Sequence, residues 1–217
     1  MKVLLIGATG LIGKNCLKQL LLDPKVDTVE IWTRKELSAS HPKLKQKLID
    51  FSELSIQDPG KTDAILCCIG STIKKSGSQE KFRQIDYQYV VELSIIAERA
   101  NVQKLIIVSS VGANAKSRNF YLKTKGEMEE KVCKAMIPTI VFLRPSMLLG
   151  TREEFRFGEL IGQKLMKVFG FLFVGKLKRY KAIDAETVTT AMIALTKENN
   201  ESTIFIESEQ IEQHRKP

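Results

Sequence analysis

The stretch that most narrows what this chain can fold into is its beginning, where the apolar run Met1 to Ile6 ends on Gly7 and continues as Gly7-Ala8-Thr9-Gly10-Leu11-Ile12-Gly13. The run predicts a strand, and Lys14 to Leu20 carries a helical pattern, so the glycines sit at a strand-to-helix turn. Glycine spacing alone is commonplace. Between a strand and a helix it has a physical purpose: the glycines permit a tight turn, let the backbone approach a pyrophosphate, and seat the helix on the sheet. Free N–H groups at the helix start then attract the anion. Gly7, Thr9, Gly10, Leu11, Ile12 and Gly13 are therefore candidate dinucleotide-binding residues.

Downstream, predicted strands and helices alternate. Thr28 to Trp32 reads as a second strand after the Asp23-Pro24 break, and Leu44 to Ile49 as a third. Asp63 to Ile69 reads as a fourth, with the unbroken apolar character of a parallel strand covered on both faces. A long helix is predicted over Gln79 to Ala100, with Phe82, Ile85, Tyr89, Leu93 and Ile96 on one stripe, and Lys104 to Val108 follows as the fifth and central strand. The alternation implies an α/β fold: a doubly wound, Rossmann-like parallel sheet with helices on both faces and right-handed crossovers. At 217 residues and 43% hydrophobic content, the chain fills one such domain and is short for two. The predicted organisation is a single domain over 1–217, with a small insertion at 151–181.

The end of the second strand bears on which dinucleotide fits. An acidic residue there takes ribose hydroxyls, whereas basic residues accommodate a 2′-phosphate. The chain has Thr33-Arg34-Lys35, with Glu36 only beyond them, which favours NADPH over NADH. Asp50 and Phe51, after the third strand, are placed to flank the adenine, and Gly70, after Ile69, permits close approach of backbone to the cofactor.

The net charge of +9 comes from 34 Lys and Arg against 25 Asp and Glu spread along the chain, and reads as a solvated basic surface. No nucleic-acid motif accompanies it, so no nucleic-acid partner is expected. The four cysteines, Cys16, Cys67, Cys68 and Cys133, lack metal-ligand spacing and read as buried thiols in a reducing compartment. With only His41 and His214 present, no metal site is expected. The strand begins at once, without a signal peptide, and no apolar run approaches the roughly 18 residues of a membrane span. A soluble, cytoplasmic protein is the expectation.

The fifth strand ends in Ser109-Ser110-Val111-Gly112, and Tyr121 and Lys125 follow at a spacing of four, on one helix face. Tyrosine normally titrates near pH 10, and an adjacent ammonium stabilises its phenolate. Tyr121 then becomes able to exchange a proton with a carbonyl or alcohol, for roughly 10² to 10⁴ in rate. A serine hydroxyl at the strand end would orient the same oxygen. Ser110, directly before Val-Gly, is the candidate, with Ser109 in reserve.

With GATGLIG (7–13), VSSVG (108–112), YLKTK (121–125) and LRPSMLLG (143–150), the sequence resembles the short-chain dehydrogenase/reductase family over nearly its whole length. The runs DAILCCIGST, IDYQYV and NFYLKTKGEMEEKV resemble its small atypical branch, which includes the Tat-interacting, tumour-suppressor-like oxidoreductase. The resemblance implies NADPH with Thr9 to Ile12 at the phosphates, Arg34 and Lys35 at the 2′-phosphate, and Ile69 and Gly70 beside the cofactor. It implies Tyr121 as proton donor or acceptor, and Lys125 as partner to Tyr121 and to the nicotinamide ribose. Leu148 would border the nicotinamide, and Arg156 would reach cofactor or substrate. The chain departs from many extended relatives in having Asp86 where they carry Asn, and Gly70-Ser71-Thr72 where they have an Asn-rich turn. Both departures fall on the proton-relay side of the mechanism.

Thr139 to Leu143 reads as the sixth strand, ended by Arg144-Pro145. From Leu160 to Ile183 there are six basic residues (Lys164, Lys167, Lys176, Lys178, Arg179 and Lys181) and no acidic one, around the apolar run Val168 to Val174. In related enzymes this region caps a small-molecule substrate; the competing reading is peripheral membrane or protein contact through a basic, aromatic-rich surface. Asp184 to Lys197 reads as a helix capped by Asp184, Thr203 to Ile206 as a last strand, and the tail from Gln210 as frayed. The resulting expectation is an NADPH-dependent oxidoreductase, monomeric or homodimeric. An NADPH-sensing interaction protein without turnover is the alternative, and a nucleotide-sugar epimerase or dehydratase is disfavoured by the short chain.

Overall fold

The computed structural model describes residues 1–149, 181–198 and 201–215. Strand β1 (Lys2–Ile6) shows how the sheet is built, because its side chains alternate between two cores. Val3 and Leu5 enter one apolar cluster, while Leu4 and Ile6 enter another on the opposite face. A strand that is apolar on both faces can be stable only with helices above and below it. The same alternation recurs in β4 (Ala64–Cys67), β5 (Lys104–Val108) and β6 (Thr139–Arg144).

With β2 (Thr28–Thr33), β3 (Leu44–Leu48) and β9 (Thr203–Glu207), these strands form a seven-stranded sheet of order β3-β2-β1-β4-β5-β6-β9. Every pairing is parallel. This is a doubly wound, Rossmann-like fold, and its middle strand is β4 rather than β5, because β9 adds beside β6. The order reverses between β1 and β4, so the crevice beyond their carboxyl ends is where a ligand of such a sheet is received.

One face is covered by α1 (Leu11–Leu22) through Ile12, Cys16, Leu17 and Leu20, and by α6 (Ala185–Leu195) through Val188, Ala191, Met192 and Leu195. Three sulfurs, of Cys16, Cys68 and Met192, meet at 3.7–3.9 Å and join both helices to the end of β4. The other face is covered by α4 (Tyr89–Arg99) and α5 (Phe120–Val132).

The long helix expected over 79–100 is interrupted. A short α3 (Gln79–Arg83), after α2 (Ile73–Ser76), passes into a π turn over Gln84–Gln88 before α4 begins. The stripe Phe82, Leu93 and Ile96 is buried, but the π turn also carries Asp86 into the interior.

Other expectations need correction. Asp184 precedes α6 but makes no capping hydrogen bond from its side chain. The tail is docked, since α7 (Ser208–Ile211) buries Ile211 completely. Cys133 is exposed and Cys68 half-buried, so only Cys16 and Cys67 are fully enclosed.

Strands β7 (Leu148–Leu149) and β8 (Ile183–Asp184) pair in parallel, and Ile183 N–H donates to Met147 O at 2.9 Å. The chain leaving β6 and the chain entering α6 therefore run side by side. The expected cap over 151–181, apart from Lys181, lies outside the described residues. Among the described residues, no helix is long and apolar enough to cross a membrane.

Candidate functional site

The glycine turn closes through a hydrogen bond from Gly10 N–H to Gly7 O at 3.0 Å. Gly7 has φ +85°, and a Cβ there would stand 2.7 Å from the carbonyl carbon and oxygen of Cys68. A Cβ at Gly13 would stand only 2.0 Å from Gly7 O. Both glycines are therefore demanded by the fold. Gly10 differs: its φ of −77° and ψ of 170° suit any residue, it is exposed, and its nearest obstacle to a Cβ is Gly7 O at 3.4 Å. No side chain caps α1, so the first-turn N–H groups, which have no intrahelical acceptors, suit an anion. The turn thus offers what a pyrophosphate requires, with Thr9 and Gly10 at its open side and Leu11 half-buried behind them.

At the end of β2, the Thr33 hydroxyl donates to Lys35 O at 2.7 Å, closing a turn that leaves Arg34 and Lys35 exposed. Neither has an acidic partner among the described residues. Asp50 accepts from Ser52 N–H at 2.8 Å, and Phe51 lies half-buried with its ring 5.6 Å from that of Tyr89. Burial pushes the Tyr89 phenol up, as do the charges of Asp50 and Glu92, while Arg34 opposes them. Arg34, Asp50, Phe51 and Tyr89 therefore share one corner. Tyr89, read from the sequence as part of the apolar stripe, belongs to this wall.

Across the switch point, β4 leads to buried Ile69 and exposed Gly70. A Cβ at Gly70 would lie 3.6 Å from Asp86 Oδ1, an ordinary contact, so the fold does not require glycine there. Helix α5 begins where Asn119 accepts from Leu122 N–H at 3.1 Å. Its first turns carry Tyr121, half-buried with its ring 5.4 Å from that of Phe82, and Lys125, almost fully buried. Lys125 Nζ lies 2.8 Å from Asp86 Oδ1, and Asp86 Oδ2 accepts from Ser71 N–H at 2.8 Å. Burial works against the Lys125 charge, but Asp86 and Tyr121 outweigh it and the ammonium is pushed up to about 12. Asp86 was absent from the sequence-derived site set. Its signal was a carboxylate four residues after Phe82, inside an apolar helix.

Ser109 is buried and donates to Glu129 of α5 at 2.6 Å, whereas Ser110 is half-buried and makes only a long contact to Val111 O at 3.3 Å. Asn114 N–H donates to Leu122 O at 3.1 Å, so the loop carrying Ser110 is tied to α5 twice. Leu148 is half-buried in β7. Arg156 lies outside the described residues.

Comparison with known proteins places this arrangement. HIM1 matches residues 31–176. The chain belongs to the HIM1 family. Proteins of similar sequence include the protein FMP52, mitochondrial, of Candida albicans, 33% identical over 71% of this chain and 70% of that one. Another is the protein HTATIP2 of Rattus norvegicus, 31% identical over 88% of this chain and 79% of that one. This HIM1 chain is thus an atypical short-chain dehydrogenase/reductase resembling HTATIP2, as the sequence motifs implied.

Among solved structures, MoeE5 in complex with UDP-glucuronic acid and NAD superposes with a TM-score of 0.71 at 14% identity, covering 95% of this chain and 75% of that one. The UDP-N-acetylglucosamine 4-epimerase from Bacillus cereus gives 0.69 at 17% identity, covering 98% and 83%. These likenesses establish the fold. The expected cytoplasmic location is overturned, because relatives from Candida albicans, Meyerozyma guilliermondii and Emericella nidulans are named as mitochondrial proteins.

Proposed function

We propose that this HIM1 protein is an NADPH-dependent oxidoreductase that moves hydride between the nicotinamide and a small carbonyl or alcohol substrate. The observation that carries the reading is the placement of Tyr121 and buried Lys125 on one helix beside the end of β4, next to the switch point that the glycine turn occupies. The fit of the turn to a pyrophosphate supports a nicotinamide dinucleotide, which MoeE5 also holds in the form of NAD. Arg34 and Lys35, exposed and without acidic partners among the described residues, support the 2′-phosphate form.

When bound, the nicotinamide supplies or accepts the hydride. The protein supplies the rest. Ser110 orients the substrate oxygen, Tyr121 passes the proton, and Lys125 attracts the phenolate and holds the nicotinamide ribose. Asp50 and Phe51 flank the adenine, Ile69 and Gly70 lie along the cofactor, and Leu148 borders the nicotinamide. The relatives' names support a mitochondrial location.

The test is to titrate NADPH into the wild-type protein and Tyr121→Phe, then follow NADPH consumption over a panel of aldehydes and ketones. Binding by both, with turnover lost in the variant, is expected. A wild type that binds NADPH and consumes none over the panel would leave a cofactor-sensing protein instead.

A further inference from the structure

We infer that Asp86 is a positioning residue of the site, holding the Lys125 ammonium in place and tying it to the Ser71 amide in the loop that follows β4. The inference rests on the oxidoreductase reading for its purpose and on geometry for its substance. Asp86 is fully buried and uses both carboxylate oxygens, Oδ1 toward Lys125 Nζ at 2.8 Å and Oδ2 toward Ser71 N–H at 2.8 Å. Ser71 Oγ in turn accepts from the Ser76 hydroxyl at 2.9 Å, which carries the connection into α2. One side chain thus links the helix bearing Tyr121 to the loop beside the cofactor crevice.

Stability alone is a poor reason for such a pair. Desolvating two charges offsets most of their attraction, and well-packed apolar residues of similar volume would hold the core as firmly. The backbone is also unusual here: the π turn over Gln84–Gln88 brings Asp86 inward, and such turns inside helices recur at functional sites. The other titratable groups that act on Lys125 are Tyr121 of α5 and Cys67 of β4, both acids, so Asp86 is the closest ionised carboxylate among the described residues.

The hydrogen-bond inventory shows why the residue is Asp. An ammonium in ion-pair contact and a backbone N–H donating a hydrogen bond converge on one side chain, and a carboxylate offers an oxygen to each. An asparagine offers one acceptor and one amide donor, so either orientation sets a donor against a donor. Asp86→Asn is therefore nearly isosteric and yet unable to keep both contacts.

The experiment measures three quantities in the wild type and Asp86→Asn: the pH titration of the Lys125 ammonium by nitrogen NMR, hydrogen exchange at the Ser71 amide, and NADPH affinity. In the wild type the ammonium persists to about pH 12. In the variant it titrates lower than in the wild type, because only Tyr121 and Cys67 are left to oppose burial. Ser71 exchange rises, and NADPH affinity falls roughly tenfold or more, as the loss of a charge-assisted contact implies. Asp86→Glu, with two acceptors, retains the wild-type titration and Ser71 protection, and it carries the test if Asp86→Asn does not fold.

A double-mutant cycle isolates the route. In a Lys125→Met background, Asp86→Asn is expected to cost little further NADPH affinity. Equal losses in both backgrounds, unchanged Lys125 and Ser71 signals in Asp86→Asn, or a Glu variant that behaves like the Asn variant would each overturn the inference. Failure of the oxidoreductase reading looks different, because the wild type itself then binds no NADPH, or binds it and consumes none over the carbonyl panel, whatever the Lys125 and Ser71 signals show.

Discussion

Ser109 Oγ donates to Glu129 Oε1 at 2.6 Å, a bond that engages one of the two serines after β5 and supports Ser110 as the one proposed to face a substrate. Glu129 is buried and gripped from its other side by Arg144, whose Nε and Nη2 reach its two oxygens at 3.0 and 2.6 Å. Arg144 also reaches Glu207 of β9 at 2.9 Å, so Ser109 belongs to a network spanning α5, β6 and β9. Ser109→Ala is expected to lower the melting temperature, at a cost of about 1–3 kcal/mol for leaving a buried charged group short of a donor. Ser110→Ala is expected to melt like the wild type while its kcat for carbonyl reduction falls roughly 10²-fold. The reverse pattern would make Ser109 the substrate-facing serine.

The turn glycines separate protein-imposed from ligand-imposed requirements. Gly13→Ala drives a methyl to within 2.0 Å of Gly7 O, an overlap the packed turn cannot relieve cheaply. Its unfolding midpoint in urea should fall steeply. Gly10→Ala meets nothing closer than 3.4 Å, so its stability should stay within about 0.5 kcal/mol of the wild type. If a pyrophosphate lies against this turn, the same variant loses NADPH affinity roughly tenfold or more, about 1.4 kcal/mol of contact. Calorimetric titration of the folded variant checks this, and undiminished binding would remove the cofactor from the turn.

Arg34→Ala tests the form of the dinucleotide. A charge-assisted contact to phosphate contributes about 1.5–3 kcal/mol, so NADPH affinity should drop roughly tenfold to a hundredfold. NADH, which lacks that phosphate, should bind unchanged. Equal losses for both cofactors would sink the 2′-phosphate assignment and leave Arg34 as a general contact to the adenosine half.

Local signals made much of this legible before any coordinates. The apolar runs of β1 and β4 required helices on both faces, and the glycines marked the one turn where backbone must pass close to backbone, as Gly7 does against Cys68. Tyr121 and Lys125 were readable because helical spacing is a short-range property. Long-range pairing was hidden. No pattern in the chain says that Asp86 meets Lys125, thirty-nine residues later, or that Ser109 meets Glu129. The position of β5 was misjudged because β9 returns from the far end of the chain to extend the sheet. The break in the 79–100 helix escaped because a π turn preserves the apolar stripe while shifting one polar residue inward.

Alkaline stability provides the last test, through two buried groups at the end of β4. Burial pushes the Cys67 thiol up to about 11 from an ordinary 9.0, and Lys125 stands at about 12 against 10.5. Each is raised by folding, so each contributes stability that is fully present below its unfolded value and is lost as pH rises through its folded one. The losses fall between pH 9.0 and 11 for Cys67, and between 10.5 and 12 for Lys125. The urea midpoint should therefore decline in two overlapping stages, with the slope of the transition unchanged if the folded state stays compact. Cys67→Ala costs some stability at neutral pH through the cavity it leaves, yet its decline between pH 9.0 and 11 should be shallower than that of the wild type. What remains of that stage comes from Cys68, whose thiol is also raised, first by its contact with Cys16 and then by burial, and from Cys133, whose thiol burial raises. A variant profile parallel to the wild type over this window would show that Cys67 is not enclosed beneath the site.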